Sequence, residues 1–78
     1  MTNLEKYSKA FLEAFDVPPA ALPTLAYQAI PSWDSVGHMG LMAVLEETFG
    51  ITLEIDDVID FSSFEKGQKL LTKYGVEF

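Results

Sequence analysis

The chain has 78 residues with five Lys, no Arg and twelve Asp plus Glu, a net charge of −7, which disfavours nucleic acid and anionic membrane surfaces as partners and favours basic ones. At that length one domain over residues 1–78 is expected, with a core that must offset roughly 1.5 kcal/mol of conformational entropy per ordered residue. Cys is absent and His38 is the one His, which excludes a disulfide framework, a thiolate zinc site and a cysteine nucleophile, so packing has to suffice.

From Thr2 to Phe15 the apolar residues Leu4, Tyr7, Phe11, Ala14 and Phe15 recur every three or four positions, which predicts a first helix, and Thr2 with Glu5 offers a capping box. The opening residues have no signal-peptide profile, so a cytoplasmic protein is expected. All four prolines, Pro18, Pro19, Pro23 and Pro31, follow between residues 16 and 31. No long helix crosses such a stretch, although Leu22 to Ile30 has room for a short turn. Leu22, Leu25, Tyr27 and Ile30 predict that this long loop is packed down rather than free.

Ser35 to Phe49 reads as a second helix ended by Gly50, which tolerates the left-handed conformation of a helix C-terminus. Its longest apolar run, Leu41 to Leu45, is far too short for membrane insertion. Advancing about 100 degrees per residue places Leu41, Met42, Leu45 and Phe49 in one arc with His38, a core stripe. A second arc holds Val36, Met39 and Ala43 together with Glu46 and Glu47. A helix with a single buried face has no need of that stripe, which suits either ordinary exposed apolar residues or a docking surface with an apolar centre and an acidic rim. Gly37 and Gly40 each cost about 0.5 to 1 kcal/mol against Ala inside a helix, so a close neighbour is expected there, with the first loop as candidate.

Ile51 to Leu53 is an extended connector, and Asp56 to Asp60 forms a short helical turn around Val58 and Ile59. Ser62 with Glu65 predicts a second capping box, opening a helix from Ser63 to about Tyr74 whose buried face is Phe64, Leu71 and either Leu70 or Tyr74. The fold class is therefore all-α, a four-helix bundle of three main helices plus a short third one, with a long first loop.

Two chemistries receive little support. Asp34, Ser35 and His38 do not make a serine hydrolase, because the helical wheel sends Ser35 and His38 in different directions and no nucleophile elbow surrounds the serine. Glu54, Asp56, Asp57 and Asp60 lack the order and central Gly of a calcium loop, so a solvated acidic face is expected and no metal site.

The order of elements carries more. A long loop leads to Asp34-Ser35-Val36, an amphipathic helix closes in Leu45-Glu46-Glu47-Thr48-Phe49, and a short acidic turn and a last helix follow. In this the chain resembles the acyl carrier protein family in its free-standing form, over nearly all 78 residues and most strongly from Trp33 to Phe64.

The resemblance implies that a phosphopantetheinyl transferase attaches 4′-phosphopantetheine from coenzyme A to Ser35, with Asp34 as the neighbouring motif acid. It implies a monomeric carrier that catalyses nothing. The carrier holds acyl intermediates as thioesters and presents them to acyl-loading and acyl-processing enzymes with basic docking patches, in a fatty acid, lipid or specialised pathway. Val36, Met39, Ala43, Glu46, Glu47, Asp56 and Asp57 are the implied partner surface, and His38, Leu41, Met42 and Leu45 the candidate lining of an acyl cavity. The alternative is an unmodified helical interaction module in which Ser35 is only a helix cap.

The chain departs from the family in having Ser32 where a Gly is frequent and Gly37 and Gly40 where acids are frequent, which favours a specialised pathway. The charge is also uneven. Residues 10 to 65 hold ten acids and no Lys or Arg, and all five lysines lie in the first and last helices.

Overall fold

In a computed structural model that describes residues 1–78, the chain is all-α. Helix α1 spans Asn3–Ala14, α2 Ser35–Phe49, α3 Ile55–Asp60 and α4 Phe64–Thr72, and a 3-10 helix occupies Pro19–Thr24 within the first loop. No helix is long and apolar enough to cross a membrane.

The capping box of α1 is present in both directions: the Glu5 N–H donates to the Thr2 hydroxyl at 3.1 Å, and the Thr2 N–H donates to the Glu5 carboxylate at 3.0 Å. The bond from the Thr2 backbone is the main reason the Glu5 carboxyl lies below its usual range. The helical turn in the loop comes earlier than the expected Leu22 to Ile30, because Pro19 is compatible with a first helical turn and starts it there. Leu22 and Leu25 are buried and Ile30 is half-buried, as their apolar character predicts, whereas Tyr27 stands exposed. Two backbone bonds fasten the loop to the start of α4, from Tyr27 N–H to the Ser62 carbonyl and from Phe64 N–H to the Leu25 carbonyl, both at 2.9 Å.

That fastening also corrects the cap of α4. Ser63 is extended and bridged to Ala26, so it is the last non-helical residue, and its hydroxyl accepts from Lys66 N–H at 3.0 Å. The cap is Ser63 rather than Ser62, and the third helical position is Lys66, so Glu65 completes no capping box.

Gly50 ends α2 at φ +63°, in the left-handed region. Gly37 has the expected close neighbour: a Cβ there would run into the Ser32 carbonyl of the first loop. Gly40 does not, since the space beside it is open.

The core is one cluster of fifteen buried residues centred on aromatic rings. The Phe11 ring lies 5.0 Å from Tyr7, 5.5 Å from Trp33 and 5.0 Å from Phe64 between centroids. Gly67 lets α4 approach this cluster, because a side chain there would overlap the Phe61 ring and the Tyr7 hydroxyl. The Tyr7 hydroxyl donates to the Phe64 carbonyl at 2.7 Å, and burial pushes its ionisation far above the ordinary tyrosine range, so the donor is retained.

Candidate functional site

Asp34 has extended backbone and its carboxylate accepts from Gly37 N–H at 2.8 Å, which makes it the N-cap of α2. Ser35 is then the first helical residue and not the cap, a correction to the alternative reading in which it only caps. Its side chain is exposed and its hydroxyl engages no group of the chain. The N–H groups of Ser35 and Val36 likewise take no acceptor from the chain, as expected of donors in a first helical turn. An exposed hydroxyl thus lies at the positive end of a helix dipole beside two free donors.

Beside Ser35 opens an apolar cavity of about 370 Å³, lined by Tyr27, Ser35, His38, Met39, Val58, Ile59, Phe61 and Ser62. A second, of about 490 Å³, lies between α2 and α3 and is lined by Met39, Met42, Ala43, Glu46, Leu53, Ile55, Val58 and Ile59. Met39, Val58 and Ile59 border both. Of the four residues expected to line an acyl cavity, His38 and Met42 do so. Leu41 and Leu45 do not: both are fully buried in the main core and border neither cavity.

His38 is half-buried with both ring nitrogens engaged. Nδ1 lies 2.9 Å from the Trp33 indole nitrogen, and Nε2 lies 2.7 Å from the Val58 carbonyl oxygen. Neither nitrogen is bonded to Ser35, so the serine has no base in this residue.

The expected partner surface divides. Val36 is 79% exposed and Met39, Ala43, Glu47 and Asp56 are also exposed. Glu46 is half-buried, and its carboxylate accepts from Leu53 N–H at 2.8 Å, so it ties the connector to α2 rather than standing free. Asp57 leaves the surface altogether. Its side chain is 9% exposed and binds the Lys73 ammonium at 2.6 Å, and it also accepts from the Tyr74 hydroxyl. These two bonds, that from Lys73 first, hold its carboxyl below the usual range, and the same pairing raises Lys73 above its own.

Sequence reasoning did not single out two exposed apolar residues that adjoin this expected surface. Ile55 and Ile59 are 75% and 72% exposed on α3, beside Met39 across the second cavity. Their spacing of four marks a shared helical face, a signal the surrounding acids obscured. No cluster of three or more His, Asp or Glu side chains is placed to hold a metal ion. No family model, curated protein or solved structure matches the chain.

Proposed function

We propose that this protein is an acyl carrier whose Ser35 receives 4′-phosphopantetheine from coenzyme A through a phosphopantetheinyl transferase. The observation that carries the reading is the division of labour at the start of α2. Asp34 performs the capping, which leaves the Ser35 hydroxyl exposed and unbonded at the rim of an apolar cavity. A serine needed only as a cap would be bonded to the helix it caps.

The residues present suit the group. A phosphodiester at the Ser35 oxygen would lie near the free N–H groups of Ser35 and Val36 and the positive helix end, which favour an anion. When bound, the arm supplies the thiol that a chain without Cys lacks, and with it the capacity to hold an acyl group as a thioester. The apolar cavities bordered by Met39, Val58 and Ile59 suit shelter of an apolar acyl chain from water. The four α-helices are read as a small four-helix bundle with α3 as its short member.

Partners are inferred to dock on Val36, Met39, Ala43, Ile55 and Ile59 through an apolar patch, with Lys or Arg meeting Asp34, Glu47, Asp56 and Asp60 at its edge. Gly37 gives a physical reason for one missing acid of the family pattern. Any side chain there meets the Ser32 carbonyl, so close seating of the loop and an acid at 37 exclude each other.

The test is to incubate the protein with coenzyme A and a broad-specificity phosphopantetheinyl transferase and weigh it. A gain of one phosphopantetheine, lost in Ser35→Ala, is expected. No gain, or a gain that survives the substitution, overturns the assignment.

A further inference from the structure

His38 is occupied in a way that neither a catalytic base nor a simple cavity wall requires. The Trp33 indole only donates and the Val58 carbonyl only accepts, so Nδ1 carries the lone pair and the proton is on Nε2. The Trp33 and His38 ring planes lie 16° apart, which is compatible with an N–H and a lone pair that both lie in plane.

The two ends of this link differ in kind. Trp33 is fully buried and packs against Phe11 and Phe15, so it is anchored in the main core. Val58 belongs to the last turn of α3, where a carbonyl has no intrahelical donor, and it receives no backbone N–H from elsewhere. A side chain of α2 thus caps the C-terminal end of α3. On its other side α3 is fastened to Lys73 and Tyr74 through Asp57. The cavity that Ser35, His38 and Val58 all border adjoins the first of these fastenings.

We propose that His38 is the positioning residue of the Ser35 site: it transmits the anchorage of Trp33 to α3 and so sets the place of α3 beside the cavity. An enzyme acting at Ser35 would meet Val58 and Ile59 already in register. As a role at Ser35 this rests on the carrier reading, whereas the brace itself does not.

Two conservative variants separate the two bonds. An Asn oxygen reaches about as far as Nδ1 and accepts from Trp33 but falls short of Val58. A Gln amide reaches about as far as Nε2 and donates to Val58 while abandoning Trp33. Amide hydrogen exchange is measured on the full, unmodified chain for wild type, His38→Asn, His38→Gln and His38→Ala, with Leu45 as internal reference. In Asn and Ala, α3 amides are expected to exchange roughly tenfold faster, and in Gln within about twofold of wild type. The Trp33 indole proton should show the converse order, protected in Asn and released in Gln and Ala. In wild type, imidazole nitrogen spectra should report the Nε2–H form.

Equal α3 exchange in all four proteins, or equal loosening in Asn and Gln, overturns the brace. For the Ser35 site, the KM for transferase loading should rise about threefold in Asn and Ala with kcat within about twofold, and stay at wild type in Gln. An unchanged KM overturns the positioning role. A protein that shows the exchange pattern but gains no mass in any variant refutes the carrier reading alone.

Discussion

Phe11, on the buried face of α1, has five aromatic rings with centroids within 6.2 Å, whereas Val58, on α3, borders two cavities of about 370 and 490 Å³. The first region is filled by rings and closed by Gly67. The second is bordered by single polar links, His38 to Val58 and Glu46 to Leu53, while Asp57 fastens α3 to Lys73 and Tyr74. Rings packed edge to face resist displacement from every direction, while a hydrogen bond holds one point and leaves space beside it. The difference teaches that rigidity is concentrated away from Ser35, and that the face beside it is held in place without being filled.

Truncating the filled region should have the largest effect. Phe11→Ala removes the ring common to five aromatic contacts and is expected to cost about 3 to 5 kcal/mol. A chain of this length has roughly 4 to 12 kcal/mol in total. Denaturant unfolding should therefore show a variant folded marginally or not at all. A loss below about 1 kcal/mol would break the contrast between the regions.

The two glycines of α2 give a sharper pair with opposite signs. Gly37→Ala drives a methyl group into the Ser32 carbonyl and should destabilise by about 1 to 3 kcal/mol, or displace the loop that leads to Ser35. Gly40→Ala meets open space and should stabilise by about 0.5 to 1 kcal/mol. Thermal melts of both decide the matter, and equal signs would refute the role given to Ser32.

Much of the fold was legible in particular residues. The spacing of Tyr7, Phe11 and Phe15, the Thr2 and Glu5 pair, and Gly50 act within a few residues of themselves, so helix positions follow from local pattern. Partners brought together by the tertiary fold were not legible. Asp56 and Asp57 are identical in composition and adjacent, yet only the second meets Lys73, sixteen positions on and on another helix. Ser62 and Ser63 compete equally as caps until the bridge to Ala26 decides between them. His38 was readable as a member of the core stripe of α2, but a backbone carbonyl such as that of Val58 leaves no mark on the sequence. Asp34 and Ser35 were readable as a pair, and only geometry assigned the cap to the first.

The links of α3 give the cavity side its own pH behaviour. The Asp57 carboxyl is lowered by Lys73 and then Tyr74, so its contribution is complete above the ordinary value of 3.8 and is lost as pH falls through the lowered one. Lys73 is raised by Asp57, so its contribution is complete below 10.5 and is lost as pH rises through the raised value. Protection of α3 amides should be level from about pH 5 to about pH 9 and decline beyond each end. In Asp57→Asn the acid limb attributable to this residue should vanish. An unchanged acid limb would remove Asp57 from the links that hold α3.

The smallest effect on stability should come from the exposed face of α3, where the largest effect on docking is expected. Ile59 is 72% exposed, so Ile59→Ser removes little buried area and should change stability by no more than about 0.5 kcal/mol. Transferase loading should nevertheless slow if Ile59 belongs, as proposed, to the apolar centre of the docking patch. Glu47→Lys tests the rim of the same patch. It should slow loading more than Glu5→Lys on α1, with a difference that shrinks at high salt, whereas the loss in Ile59→Ser should persist. Glu46→Lys is the poorer probe, since it also frees Leu53 N–H and loosens the connector. If Ile59→Ser and Glu5→Lys load equally fast at every salt concentration, the open face beside Ser35 is not where its enzymes dock.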